Sequence, residues 1–407
     1  MPKSKKKIKK FFKKLKKNKI KFNLTEVIVI IIVALSLGIL VGSFLTYGKE
    51  KILVNKVPSE LEEFVRTYNS ISDTYYKKVD KNTLVEGAIA GMINSLHDPY
   101  SNYMDQDVTE IFNQTVDGEY DGIGVAIKIN DDSLEVLEIF KNTPASKVLK
   151  KGDKIIEVSG KKVTSKNYNE IVDLIKGKKD SKVKMKIIRD GKEMEVISRR
   201  DRITIPSVSS KIIKRTGKRI GYIEIDIFAA NTYEQFKTEL EKIEKEGIDS
   251  LIIDVRGNSG GHLDQVTKIA ELFLDNKKIV YQVETKKVKK KVLSRTSEKR
   301  DYKVAVLVNK ASASASELLT AALKESYGAS VVGTNTYGKG TIQNAYQLKD
   351  GTSLKYTTQK WLTPKGNWIN EKGVKPTLKV ELDEAYYNEP IDDNDNQLQE
   401  ALDLLAQ

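Results

Sequence analysis

The residues with the clearest capacity for chemistry are a run of alternating small side chains, Ser312-Ala313-Ser314-Ala315-Ser316-Glu317, and a lysine 25 positions beyond its middle serine, Lys339. The run follows an apolar, strand-like stretch at 304–309 and opens a helical one at 318–326. Serine is a good helix N-cap and alanine permits close packing, so the run has an ordinary structural meaning. It also has a chemical one, because backbone N–H groups and the positive end of a helix dipole beside a serine suit a developing oxyanion. Lys339 can act as base toward such a serine only when neutral. Its pKa must then fall from about 10.4 toward 7, which costs about 4 kcal/mol of desolvation. Burial between Gly338 and Gly340 suits that shift, and Gln343, four residues on, is placed to orient the amine from a helical turn or a bent strand. The chain has no cysteine, which excludes thiol nucleophiles, thiolate metal sites and disulfides. Its two histidines, His97 in a helical region and His262 after a glycine pair, are read as non-catalytic.

The same segment invites a second reading. Gly333-x-x-x-x-Gly338-Lys339 begins like a phosphate-binding loop, with Asp254 at the end of an apolar strand as a metal ligand. Position 340 is glycine where that loop needs serine or threonine, the aspartate strand precedes the loop, and a strand-like stretch follows it. The nucleotide reading is therefore set aside, and the chemistry expected requires neither metal nor nucleotide.

Stepping outward from the site, residues 201–390 alternate strand and helix patterns and read as an α/β core. Residues 116–200 carry short β-rich runs. The clearest is a hairpin in which Val183, Met185 and Ile187 alternate with lysines before an Asp190-Gly191 turn. The order of elements resembles a PDZ domain. In that family a glycine-rich loop offers backbone N–H groups to a peptide's terminal carboxylate, and here Gly122-Ile123-Gly124-Val125 occupies its place. Residues 49–115 read as helical, since Leu84, Ala88, Ile89, Met92, Ile93 and Leu96 recur at helical spacing. Residues 391–407 form an acidic linker and a short amphipathic helix.

Taken together, the serine run, Tyr337-Gly-Lys-Gly-Thr-x-Gln343, Asp254-Val-Arg-Gly-Asn-Ser-Gly-Gly261 upstream, Tyr100-Ser-Asn-Tyr-Met104 and Lys372-Gly-Val-Lys-Pro376 resemble the C-terminal processing peptidases, or tail-specific proteases. The resemblance covers about residues 58–407. It implies a serine endopeptidase with Ser314 as nucleophile, Lys339 as base and Gln343 positioning Lys339. It also implies an oxyanion hole of the Ala315 N–H and that of Gly260 or Gly261, and a PDZ domain that captures substrate tails and gates the site. Many relatives have proline at Ser259 and an apolar residue at His262, which touches only the shape of the oxyanion loop. The competing class is a catalytically inactive PDZ adaptor on a protease fold. Dimerisation is an expectation from the family alone.

The formal charge of +14 would suggest nucleic acid, but twelve lysines within residues 1–21 leave only +2 for the other 386 residues. That is no footprint for nucleic-acid binding. Residues 27–48 carry no charge and are long enough to cross a bilayer as a helix. A cleaved signal has a shorter apolar region and a small-x-small site, poorly imitated here by Val41-x-Ser43. With the Lys-rich arm, 1–26, in the cytoplasm, the positive-inside rule places everything from 49 onward outside it. The overall expectation is an α+β and α/β multidomain chain: a single-pass transmembrane helix in the cell membrane, a helical region, a PDZ domain, and an α/β protease core acting on polypeptides with accessible C-terminal tails.

Overall fold

The computed structural model describes residues 58–296, 300–348 and 351–407. The Lys-rich arm and the expected span at 27–48 lie outside the described residues, and among the described residues no helix is long and apolar enough to cross a membrane. The chain divides into two compact units, up to Ile89 and from Ala90 to Gln407. In the first, helix α1 (Glu62–Thr74) carries Glu62 and Glu63 in its first turn, where they complement the helix dipole. None of its residues is buried; Phe64, Val65 and Ile71 are exposed. Helix α2 (Lys81–Asn94) runs across the boundary.

Helix α2 ends at Asn94, and Pro99 keeps the helix from resuming at Asp98, since proline disfavours the helical conformation of the residue before it. Strand β1 (Asn102–Met104) follows, so residues 49–115 are not uniformly helical as the spacing predicts: three of them join the protease sheet. Helix α3 (Gln106–Asp117) is capped by Asp105, whose side chain accepts from the Val108 N–H, and ends at left-handed Gly118.

The PDZ region is built from β2 (Glu119–Gly122), β3 (Val125–Ile129), β4 (Leu134–Ile139), β5 (Lys154–Val158), β6 (Lys161–Lys162), helix α4 (Tyr168–Ile175), β7 (Lys182–Arg189), β8 (Lys192–Arg199) and β9 (Asp201–Thr204). Strands β3-β4-β5-β7-β8 form an antiparallel sheet, and β2 pairs with β9. The β7/β8 register, with Met185 opposite Val196, turns at Asp190 and Gly191 with φ of 51° and 75°, as the Asp-Gly signal predicts. Leu134, Ile155, Ile171, Val183 and Ile187 fill its core. Arg200 closes the end of α4 by donating to the carbonyls of Leu174 and Ile175.

The protease core comprises β10 (Val208–Arg215), β11 (Lys218–Ile225), α5 (Thr232–Lys245), β12 (Ser250–Asp254), α6 (Leu263–Glu271), β13 (Ile279–Glu284), β14 (Lys289–Leu293), β15 (Lys303–Val308), α7 (Ala315–Ala322), β16 (Ser330–Gly333), β17 (Thr341–Gln347), β18 (Ser353–Leu362), β19 (Leu378–Lys379), α8 (Glu384–Asn388) and α9 (Asn396–Ala406). One sheet has the order β10-β11-β12-β15-β16-β19, parallel except for β10. Strand β12 is buried along its whole length, as a parallel strand covered on both faces requires. Helices α5, α6 and α7 cover one face, while Leu398, Ala401 and Leu402 of α9 cover the other. A second, antiparallel sheet has the order β1-β18-β13-β14, with β17 also on β18.

Candidate active site

Three adjacent parallel strands end in the three loops that the sequence singles out: β12 leads to Asn258–Gly261, β15 to Ser312–Ser316 and β16 to Lys339. The carboxyl ends of such strands are where open α/β sheets bind ligands.

The serine run is resolved by its hydrogen bonds. Ser312 donates through Oγ to the Val255 carbonyl at 2.7 Å, and Ser316 through Oγ to the Asn258 carbonyl at 2.8 Å; both residues are wholly buried. The hydroxyl of Ser314 between them donates to no group among the described residues; its oxygen faces the Glu317 N–H in the capping box that opens α7. Ser314 is the N-cap of α7, with φ 52° and ψ −109°. A non-glycine residue in that region is strained, and such strain gathers at functional sites.

Glu317 ties this serine to the lysine. Its Oε2 accepts from the backbone N–H of Ser314 and from that of Lys339, both at 2.8 Å, while its Oε1 accepts from the Thr336 hydroxyl and the Gly338 N–H, both at 2.6 Å. The residue is fully buried. In the sequence only the capping-box pattern Ser314-x-x-Glu317 points to it.

Asn258 is the second organiser. It is also wholly buried, donates from Nδ2 to the Ile225 carbonyl at 2.7 Å, and accepts through Oδ1 from the Gly260 N–H at 2.8 Å. That bond occupies one of the two glycine N–H groups considered for the oxyanion. The N–H groups of Gly261 and Ala315 have no partner among the described residues, so the pair left available is Gly261 with Ala315. Close approach explains the glycines: a Cβ at Gly260 would lie 2.9 Å from the Cβ of Ser314, and one at Gly261 would lie 2.2 Å from the Phe228 carbonyl oxygen.

The carbonyl of Lys339 accepts from the Trp361 indole at 2.8 Å. Its side chain is held low in pKa by burial and then by the positive charge of Lys355, against the opposing charges of Asp98 and Glu317. Among the described residues Lys339 Nζ makes no hydrogen bond, to Ser314 or elsewhere; it lies 4.7 Å from the ring centroid of Tyr100. Gln343 sits in β17 at a bulge rather than on a helical turn, and its amide donates to the hydroxyls of Thr341 and Thr357, each at 3.0 Å, instead of to the amine. His97 and His262 stand outside this set. His262 borders the glycine loop, with Nδ1 3.8 Å from Asp264.

In the PDZ region, Ile123 is buried, and Gly124, at φ 89°, leaves no room for a Cβ beside Thr143. An apolar cavity of about 320 Å³ runs between β3 and α4, lined by Ile123, Val125, Ile127, Val172, Ile175 and Tyr120 among others. The Tyr120 ring packs against Gly122, and its hydroxyl faces the N–H groups of Val125 and Gly124. Burial raises the Tyr120 phenol above its ordinary value, and those N–H groups oppose the rise.

Comparison with known proteins agrees with this architecture. Residues 219–380 match the model of peptidase family S41, 113–188 that of the PDZ domain, and 44–108 that of the activating protease CtpB N-terminal domain. The chain is 40% identical over 335 residues to carboxy-terminal processing protease CtpB of Bacillus subtilis (strain 168), covering 81% of this chain and 70% of that protein. It is also 40% identical over 327 residues to CtpA of the same organism, covering 80% and 70%. A solved structure of a candidate S41 protease from Bacteroides fragilis NCTC 9343 shares the fold at TM-score 0.50 and 16% identity, over 82% of this chain and 91% of that one. Fold and relatives thus define a serine peptidase carrying a PDZ domain. The chain belongs to peptidase family S41, among the carboxy-terminal processing proteases.

Proposed function

We propose that the chain is a membrane-anchored endopeptidase that draws in the C-terminal tails of polypeptides through its PDZ domain and cuts them with Ser314 and Lys339. The observation that carries this reading is the division of labour in the serine run: Ser312 and Ser316 donate their hydroxyls to backbone carbonyls, and Ser314 donates to none. Neutral Lys339 takes the proton as Ser314 Oγ attacks the peptide carbonyl carbon. The oxyanion forms against the N–H groups of Ala315 and Gly261, where one donor of this kind contributes roughly 10²–10³ in rate. Lys339 returns the proton to the departing amine, leaving an acyl-enzyme, and then serves as base for the water that hydrolyses it. A resting site in which serine and lysine are not yet hydrogen-bonded fits this scheme, because such contacts tighten in the substrate complex. Gln343 supports the lysine loop through Thr341 and Thr357.

The anchor is the uncharged 27–48 segment, with the catalytic part outside the cytoplasm and the protein in the cell membrane. The exposed apolar side chains of α1 suit pairing of two copies. Tail binding to the PDZ domain shifts a closed site toward a competent one.

The test is cleavage of an unfolded protein with an apolar C-terminus, with chelator present, by the parent, Ser314→Ala and Lys339→Ala proteins. Cleavage by the parent that either substitution abolishes is expected; cleavage surviving both would overturn the assignment. Removal of 116–200 with rate and cut position unchanged would exclude gating.

A further inference from the structure

The Asp98-Pro99-Tyr100-Ser101 turn, which the reaction as described does not use, enters the site. It is stapled to β18: Ser101 Oγ donates to Asp98 Oδ2 at 2.6 Å and accepts from the Thr357 N–H at 3.0 Å, and Asp98 Oδ1 accepts from the Tyr100 N–H at 3.1 Å. The Tyr100 hydroxyl faces Tyr337, and burial first, then that neighbour, raises its phenol to about 12. Over its face, at 4.7 Å, stands Lys339 Nζ, with no other polar partner among the described residues.

We propose that Tyr100 is a positioning residue for Lys339, its ring holding the protonated side chain apart from Ser314 and releasing the amine to the serine when the proton is lost. The inference rests on the reading of Ser314 and Lys339 as nucleophile and base. An aromatic ring attracts an ammonium group through its quadrupole and has no comparable hold on a neutral amine, whereas a neutral amine is what Ser314 Oγ requires as acceptor. The ring and the serine therefore compete for two protonation states of one side chain. The other charged groups facing Lys339 are Asp98 on the same turn, Glu317 on α7 and Lys355 on β18, so the ring acts against a fixed electrostatic background.

The experiment is the pH dependence of kcat/KM for full-length protein in detergent, with β-casein as the unfolded substrate. Tyr100→Phe keeps the ring and loses only the hydroxyl, so its acid limb should match the parent's. Tyr100→Leu removes the quadrupole, and its limb should move down by about one pH unit, leaving activity at lower pH than the parent retains. Should the leucine protein not fold, phenylalanines of increasing fluorination at position 100 keep the shape while weakening the quadrupole, and the limb should fall stepwise. A limb unmoved by leucine or by fluorination, or moved as far by Tyr100→Phe as by Tyr100→Leu, would overturn the proposal. Ser314→Ala and Lys339→Ala run alongside: residual cleavage in either defeats the nucleophile and base assignment itself, whereas their inactivity with an unmoved limb defeats only the role of Tyr100.

Discussion

Glu317 accepts from four donors and has no exposed surface. Glu317→Gln would set an amide N–H₂ against two of those donors. Leaving buried donors unpaired costs about 1–3 kcal/mol each. The expected outcome is a loss of about 2–3 kcal/mol in denaturant unfolding, with a fall in kcat larger than any change in KM. Unchanged stability would show that the four bonds are not made together. The second expectation at this scale concerns proton affinity. Activity appears as pH rises through the Lys339 pKa, which burial first and Lys355 second hold below the ordinary lysine value. Lys355→Met removes the like charge, so protonated Lys339 becomes easier to form and the acid limb of the pH–rate profile should move up. A limb that stays or moves down would contradict the placement of Lys355. Ser314, Lys339 and the glycine pair stand out in the sequence because their residue types suit the proposed chemistry. Glu317 and Asn258 are not, because their work is to bond backbone groups brought together only by folding; Gln343 is visible as a type, but its partners Thr341 and Thr357 depend on strand pairing.

At the scale of elements, the parallel strands, the Asp190-Gly191 hairpin and the PDZ order follow from apolar alternation and turn chemistry. What escapes that pattern is pairing over long sequence separation. Strand β1 joins β18 some 250 residues away, and three residues carry too little periodicity to announce it. The clamp on α9 is another case. Arg256, just past β12, bonds Asp254 and, at 2.7 Å, Asp395, which also caps α9. This holds the C-terminal helix against the strand that feeds the glycine loop. In the PDZ region the Tyr120 hydroxyl faces the N–H groups of Gly124 and Val125, which on the proposed reading would receive a peptide's carboxylate. Tyr120→Phe should therefore tighten binding of a peptide with an apolar free C-terminus, by up to about tenfold, read by fluorescence anisotropy. Weaker binding would mean that the hydroxyl donates to the carboxylate instead of occupying its place.

For the whole molecule, the uncharged 27–48 segment and its lysine flank lead to a simple fractionation result. The full chain should stay with membranes through alkaline carbonate, and protease added outside intact cells should remove the part from residue 49 onward. Release by carbonate would indicate surface attachment only. Stability as a whole also bears on Ser314. Its backbone is held at φ 52°, a region glycine enters freely and serine does not. Ser314→Gly should accordingly melt above the parent by a few degrees, the gain of a strain of about 1 kcal/mol or more relieved. The inert protein would then be the sturdier one, and with its groove intact it would keep hold of whatever it catches. Such a variant, expressed in living cells and recovered with its captives, would let the molecule report its own natural substrates.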